Sequence, residues 1–161
     1  NFALLVSEKF TEPFKEPIQY GQHIARLANM LGGGILVQRF GDLLDGRRST
    51  PERIKASTIR PTLACATPGD LSLVIPYRQM TSIIEMLQAL DKVCPGTASR
   101  YTLLYGIEVK FYSARVKLTN ELETEGVKNL FAIGDGAGVT RGLIQASASG
   151  VHAARTICAR G

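Results

Sequence analysis

Residues Val127-Lys128-Asn129-Leu130-Phe131-Ala132-Ile133-Gly134-Asp135-Gly136-Ala137-Gly138-Val139-Thr140-Arg141-Gly142-Leu143-Ile144-Gln145-Ala146 restrict the fold more than any other stretch of the chain. Leu130 to Ile133 is a short apolar run of the kind a buried strand shows. Gly134, Gly136 and Gly138 then let the backbone turn where a Cβ would clash. Thr140 is placed to N-cap a helix whose Leu143, Ala146, Gly150 and Ala154 recur at helical spacing. The expected local structure is strand, glycine turn, helix, with a small-residue helix face that can approach other backbone closely.

Such a turn aims the N–H groups of Gly142, Leu143 and Ile144 at whatever lies over the helix start, where the helix dipole also favours negative charge. Asp135, held in the turn, accepts hydrogen bonds when ionised. It suits the hydroxyls of a sugar or polyol and repels a phosphate placed against it. The expected ligand therefore carries both a polyol and an electron-rich or anionic portion.

The run from Asn129 to Gly138, continued by Thr140-Arg141-Gly142-Leu143-Ile144-Gln145-Ala146, resembles the C-terminal FAD-binding motif of flavoprotein oxidoreductases, and most closely that of uncharacterised FAD-dependent dehydrogenases. The resemblance is strongest over residues 105–155 and includes Tyr105-Gly106-Ile107-Glu108-Val109-Lys110-Phe111-Tyr112. Arg48-Ser49-Thr50-Pro51 and Pro68-Gly69-Asp70-Leu71 are similar to short pieces of the insert domain in that family. The resemblance implies that Asp135 bonds the ribityl chain of FAD and that Arg141 to Gln145 lie by the pyrimidine side of the flavin. The implied cofactor-binding residues are Gly134, Asp135, Gly136, Arg141, Gly142, Leu143 and Ile144. Nicotinamide, as NAD(P), is suggested by the family alone, and no catalytic acid or base is identified.

That family opens its FAD domain with a strand and a G-x-G-x-x-G turn for the pyrophosphate. No stretch here fits it. Gly134, Gly136 and Gly138 are followed by Val139 where a third fingerprint glycine would fall, and after Gly32-Gly33-Gly34 the position is Val37. No phosphate loop of the G-x-x-x-x-G-K-[ST] type is present either. The chain starts at Asn1 and runs directly into Phe2-Ala3-Leu4-Leu5-Val6. The expectation is a C-terminal piece of a longer flavoprotein, holding half a cofactor site, with the N-terminal FAD domain of the same protein as its missing partner.

Nineteen basic against fourteen acidic residues give a net charge of +5, densest at Arg47, Arg48, Arg53, Lys55 and Arg60. The patch has no aromatic interleaving and matches no nucleic-acid motif, so a nucleic-acid partner is not expected. It reads as a solvated loop and helix face, or, in a sharper reading, as an attractor for an anionic ligand. No apolar run reaches the ~18 residues of a membrane span. Cys65, Cys94 and Cys158 are scattered, without C-x-x-C or zinc spacing. They fit a reducing cytoplasm, where free thiols serve as core residues, and no metal site is expected.

Along the chain, Phe2 to Ser7 reads as a strand and Lys9 to Pro17 as a connector. Tyr20, Ile24, Leu27 and Leu31 form one face of a helix stopped by Gly32-Gly33-Gly34. His23, beside that face, reads as a surface or satisfied histidine. Ile35-Leu36-Val37 is a short strand candidate, Arg39 to Leu44 a helical turn, and Thr50-Pro51 a helix start. Thr62 to Thr67 and Leu71 to Ile75, around Pro68-Gly69-Asp70, read as a hairpin. Tyr77 to Val93 is a helix with Met80, Ile83, Ile84, Leu87 and Leu90 inward, stopped by Pro95-Gly96. Tyr101 to Leu104 and Ile107 to Leu118 read as further strand.

The expected fold class is α/β: an α+β substrate-side domain over residues 1–125, inserted in its family, followed over 126–161 by the last strand, turn and helix of a Rossmann-like FAD domain. The expected protein is part of an FAD-dependent oxidoreductase of dehydrogenase type, inactive as this fragment, acting on a small-molecule substrate. Partial exposure of the last helix favours self-association into a homo-oligomer. One alternative is a non-catalytic α/β binding or interaction module. Another is a phosphate- or nucleotide-binding domain of unrelated fold that uses the Thr140 helix start.

Overall fold

The computed structural model describes residues 1–111 and 114–160; Tyr112, Ser113 and Gly161 lie outside the described residues. The chain divides into two units, Asn1–Lys110 and Phe111–Gly161.

The first unit begins its regular structure at α1, Pro17–Gly32. Proline supplies the helical φ at the first turn, where its missing N–H costs nothing. Gly33 ends the helix in the left-handed region at φ 65°, its N–H donating to Asn29 O at 2.7 Å. The predicted face is rotated by one position: Gly21 and Ala28 are buried and Ile24 and Leu27 pack on the core, whereas Tyr20 and Leu31 stay largely exposed.

Strand β1, Leu36–Arg39, runs straight into the one-turn helix α2, Phe40–Leu44. The second short helix, α3, spans Pro51–Lys55, and Thr50 Oγ1 accepts from Arg53 N as the sequence leads one to expect. β2 is only Thr67–Pro68, helix α4 is Tyr77–Asp91, and β3 is Leu103–Gly106. β1 is the middle strand of a mixed sheet ordered β2-β1-β3. It is parallel to β2, pairing Leu36 with Thr67, and antiparallel to β3, pairing Leu36 with Gly106 and Arg39 with Leu103. Leu36, Val37 and Gln38 are all buried, so both faces of β1 are covered. Leu36 joins Phe40, Leu43, Leu71, Val74, Met80 and Leu87 in one core. Burial of each large side chain stabilises by roughly 1.5–3 kcal/mol. The α/β class expected from the sequence is the class observed.

Several local expectations are corrected. Phe2 to Ser7 forms no strand: both edges of β1 are taken by β2 and β3, and of this segment only Leu4 packs on the core. No hairpin joins Thr62–Thr67 to Leu71–Ile75. Leu71–Leu73 is a 3-10 turn because polar side chains capture its amides: Asp70 accepts from Ser72 N at 2.9 Å and Gln38 Oε1 accepts from Leu71 N at 2.8 Å. Helix α4 stops two residues before Val93, and Asp91 Oδ1 folds the chain back by accepting from Gly96 N and Ala98 N. Beyond β3 the expected strand from Ile107 to Leu118 is absent among the described residues, apart from a bridge at Leu118. Its Tyr112 and Ser113 lie outside them. Cys65, Cys94 and Cys158 are exposed rather than core residues.

In the second unit, single bridges join Leu118 to Thr124 and Glu123 to Phe131. Residue 125, where the sequence suggests a domain boundary, lies in the turn between them. The final helix, α5, spans Leu143–Ala159. Arg160 closes the unit by pairing with Glu121 and with Glu123, the latter at 2.7 Å, and its guanidinium stacks 5.1 Å from the Phe131 ring centroid. The Arg160 contact, helped by the Asn129 N–H, holds the Glu123 carboxyl below its ordinary range. Among the described residues no helix is long and apolar enough to cross a membrane.

Candidate functional site

The predicted strand Leu130–Ile133 is present as extended chain with one bridge, at Phe131, flanked by the bonds Thr124 N to Leu130 O at 2.7 Å and Ala132 N to Leu122 O at 3.1 Å. A strand ladder needs a neighbour along its length, and the short 118–124 segment supplies only this much. The turn that follows is built as the glycines require. Gly134 sits at φ 70°, ψ −162°, a region open essentially to glycine alone, and Gly138 is left-handed at φ 69°. Between them Asp135–Ala137 makes a 3-10 turn, closed by Gly138 N to Asp135 O at 3.0 Å.

Helix α5 holds this turn through small side chains. Ser149 Oγ accepts from Gly134 N at 3.0 Å while its hydroxyl donates to Ala146 O at 2.7 Å. A Cβ on Gly134 would lie 3.8 Å from Ala146 Cβ, and one on Gly150 would lie 3.7 Å from Ile133 Cδ1. The close face is thus Ala146, Ser149, Gly150 and Ala153; Leu143 and Ala154, expected on it, are exposed. Leu143 is 87% exposed because it occupies the first position of the helix rather than its packed side.

Thr140 is not the N-cap. The cap is Gly142, with no side-chain cap bond, and the side chain of Gln145 fills the space a Cβ at residue 142 would need. The Thr140 hydroxyl instead donates to Asp135 Oδ1 at 2.6 Å. Asp135 is exposed, and the Cβ direction of Gly136 meets nothing within 4 Å, so the outer side of the turn is open. The structure therefore brings Gly134, Asp135 and Gly136 together in one turn, with Arg141, Gly142, Leu143 and Ile144 leading into and starting α5. A carboxyl group beside an open glycine, followed by the positive end of a seventeen-residue helix, fits a ligand with polyol hydroxyls and an electron-rich ring. FAD has both features, and these residues fit it.

The turn has little tolerance for a larger residue at position 138, where a Cβ would meet Arg115 Cα at 2.8 Å and Ala114 O at 3.1 Å. Gly138→Ala is expected to destabilise the chain by about 1–3 kcal/mol from backbone strain alone, with the contact adding to it. Chemical denaturation measures this, and a change below about 0.5 kcal/mol would remove Gly138 from the account of the turn.

In the first unit a second polar cluster surrounds Asp42, which the sequence reading did not single out. Asp42 is fully buried. It accepts from Ser49 Oγ at 2.8 Å, Arg47 Nε at 3.0 Å and Arg53 Nη1 at 3.1 Å, with Arg39 Nε at 3.8 Å. Burial pushes its carboxyl up, but the Ser49 hydroxyl and the three arginines outweigh it and the net shift is downward. Arg47 and Arg53, expected on a solvated face, are thus partly committed inward. The available signal was an aspartate inside an otherwise apolar turn, Phe40-Gly41-Asp42-Leu43-Leu44, with arginines following. The first unit also has a hollow of about 360 Å³ lined by Val37, Pro51, Ile54, Lys55, Pro61, Leu63, Ala64, Ala66 and Pro68. Lys55 is the one charged residue lining it. Among the described residues no three His, Cys, Asp or Glu side chains group as metal ligands.

An uncharacterized protein of Clostridium beijerinckii (strain ATCC 51743 / NCIMB 8052) is 31% identical to this chain over 168 aligned residues. The alignment covers 98% of the chain and 30% of that protein, so the chain spans about a third of the relative's length. A model of the family described as glucose inhibited division protein A matches residues 61–160, which include β2, α4, β3, the glycine turn and α5. With more than half of its length matched, the chain belongs to the glucose inhibited division protein A family.

Proposed function

We propose that this chain is the substrate-side and flavin-completing part of an FAD-dependent oxidoreductase of dehydrogenase type. The observation that carries the reading is the turn at Gly134–Gly138, where an exposed carboxylate and an open glycine precede the start of α5. In this reading residues 1–125 form the substrate-side domain and 126–161 complete an FAD domain whose pyrophosphate-binding half lies elsewhere in the parent protein. FAD, when bound, supplies the hydride and electron chemistry. Asp135 holds ribityl hydroxyls, with Thr140 fixing the orientation of its carboxylate. The amides of Gly142, Leu143 and Ile144 face the pyrimidine edge, and the helix dipole there favours electron density on the ring. Gly134 and Gly136 allow close approach, and Arg141 contributes positive charge beside the helix start. NAD(P) as a second redox partner rests on family resemblance.

The exposed Leu143 and Ile144, with Val151 two turns on, give the interaction-module reading its support. In the flavoprotein reading the remaining FAD domain covers this surface, and the isolated chain self-associates through it.

The deciding experiment is an absorbance spectrum of the full-length protein and of this chain, each after incubation with FAD and desalting. Flavin bands near ~450 nm in the full-length protein and none in the chain are expected. Bands in neither would leave a binding module without a flavin; bands in the isolated chain would overturn the split site.

A further inference from the structure

The Asp42 cluster holds more positive charge than its structural task requires. One arginine in bidentate contact neutralises a buried carboxylate. Here Arg39, Arg47 and Arg53 converge on Asp42, and Asp45 takes Arg47 again together with Arg100. Four guanidiniums face two carboxylates, leaving two positive charges over. Glu52 does not offset them, because the cation beside it is Arg48.

The geometry sets where that excess points. Arg47 Nε and Arg53 Nη1 bind the same oxygen, Asp42 Oδ1, at 3.0 and 3.1 Å, so two guanidiniums lie side by side despite their mutual repulsion. Arg39 is fixed behind them: its Nη1 donates to Arg53 O, its guanidinium lies 5.2 Å from the Tyr101 ring centroid, and its buried Nε has no hydrogen bond. Ser49, 1% exposed, accepts from Arg39 N and donates to Asp42 Oδ2. Gln38, fully buried, pins the loop from inside by donating to Arg47 O. The side chains of Arg47 and Arg53 are 49% and 37% exposed. Arg53 Nε and Nη2 have no acceptor among the described residues. Two adjacent, anchored guanidiniums, with Arg53 Nε and Nη2 and Arg47 Nη1 not engaged by Asp42 or Asp45, form a fork for an oxyanion.

We propose that Arg47 and Arg53, anchored by Asp42 and Ser49, bind the oxyanion of a small carboxylate or phosphate ligand. Calling that ligand the substrate rests on the flavoprotein reading above, since residues 1–125 are its substrate side. The binding itself does not.

The test uses this chain without flavin, so it stands or falls apart from the spectrum. Inorganic phosphate and succinate are titrated separately at constant ionic strength, following the arginine Nε and the residue 47–54 amide resonances. Saturable shifts with at least one probe are expected, weakened roughly tenfold or more in Arg53→Gln and unchanged in Arg60→Gln. Shifts with phosphate alone or with succinate alone assign the oxyanion class. Absence of saturable shifts with both probes in the unaltered chain overturns the proposal, as does equal affinity in Arg53→Gln. Should that variant not fold, the Arg53 Nε resonance of the unaltered chain decides: no shift on titration means no site.

Discussion

Asp42→Asn is expected to cost about 3–5 kcal/mol of folding stability, the loss typical of removing one partner from a buried ion pair. The side chain is fully buried, and the substitution keeps its shape while leaving three guanidiniums around a neutral amide whose own N–H groups point at donors. Such a loss is a large share of the 5–15 kcal/mol that holds an ordinary domain. The contribution also has a pH signature. A carboxyl whose folded pKa is depressed stabilises fully above its unfolded value, 3.8 for this aspartate, and loses that contribution as pH falls through the lower folded value. The difference between the unaltered chain and Asp42→Asn should therefore be constant from neutral pH down to about 5 and shrink below about 4. Glu52 and Glu123, whose carboxyls are also shifted downward, act equally in both proteins and cancel from the difference, whereas Asp45, which shares Arg47 with Asp42 and is raised by its charge, cancels only in part. Urea denaturation across this range is the measurement. A loss below about 1 kcal/mol, or one of equal size at pH 3 and pH 7, would refute the account of Asp42 as a charged hub.

Asp135→Ala is expected to weaken FAD binding by the full-length protein by about 1.5–3 kcal/mol, roughly ten- to two-hundredfold in Kd. The same substitution should leave folding nearly untouched, within about 1 kcal/mol, because Asp135 is exposed. The separation of the two effects is what marks a binding residue. Asp135→Asn, which retains an acceptor but not the charge, should fall between. Thr140→Ala should produce a smaller loss, since the Thr140 hydroxyl bonds one carboxylate oxygen and only orients the group. Flavin fluorescence titration reads all three. Unchanged affinity in Asp135→Ala would reduce the carboxylate to a turn residue.

The parts of this fold that could be read from sequence are those in which the deciding interactions are local. Helix α4 follows from the spacing of Met80, Ile83, Ile84 and Leu87, and α3 from Thr50-Pro51, because caps and periodic faces involve neighbours within a few residues. The glycine turn was legible for the same reason: Gly134 and Gly138 adopt conformations that other residues resist. What escaped was set by distant partners. Leu71 to Ile75 has strand composition, yet Gln38, thirty-three residues earlier, takes the Leu71 amide and the segment coils instead. Thr140 has the composition of a cap, but Asp135 engages its hydroxyl and the helix starts later, at Leu143. Arg47 and Arg53 read as surface charge because their convergence on Asp42, five and eleven residues earlier, is set by the folded loop and not by spacing.

The bond from Gly134 to Ser149 has a bearing on how this segment changes over generations. A hydroxyl one turn beyond Ala146 serves the helix and the glycine turn at once, and Ala146 and Gly150 are the small residues that face Gly134 and Ile133. A larger residue at 134 strains the backbone, and losing the hydroxyl at 149 strands the Gly134 amide. Positions 134, 146, 149 and 150 thus form one unit of inheritance: substitutions among them survive in compensating pairs, and related sequences should covary at these sites while the outward residues of α5 drift independently.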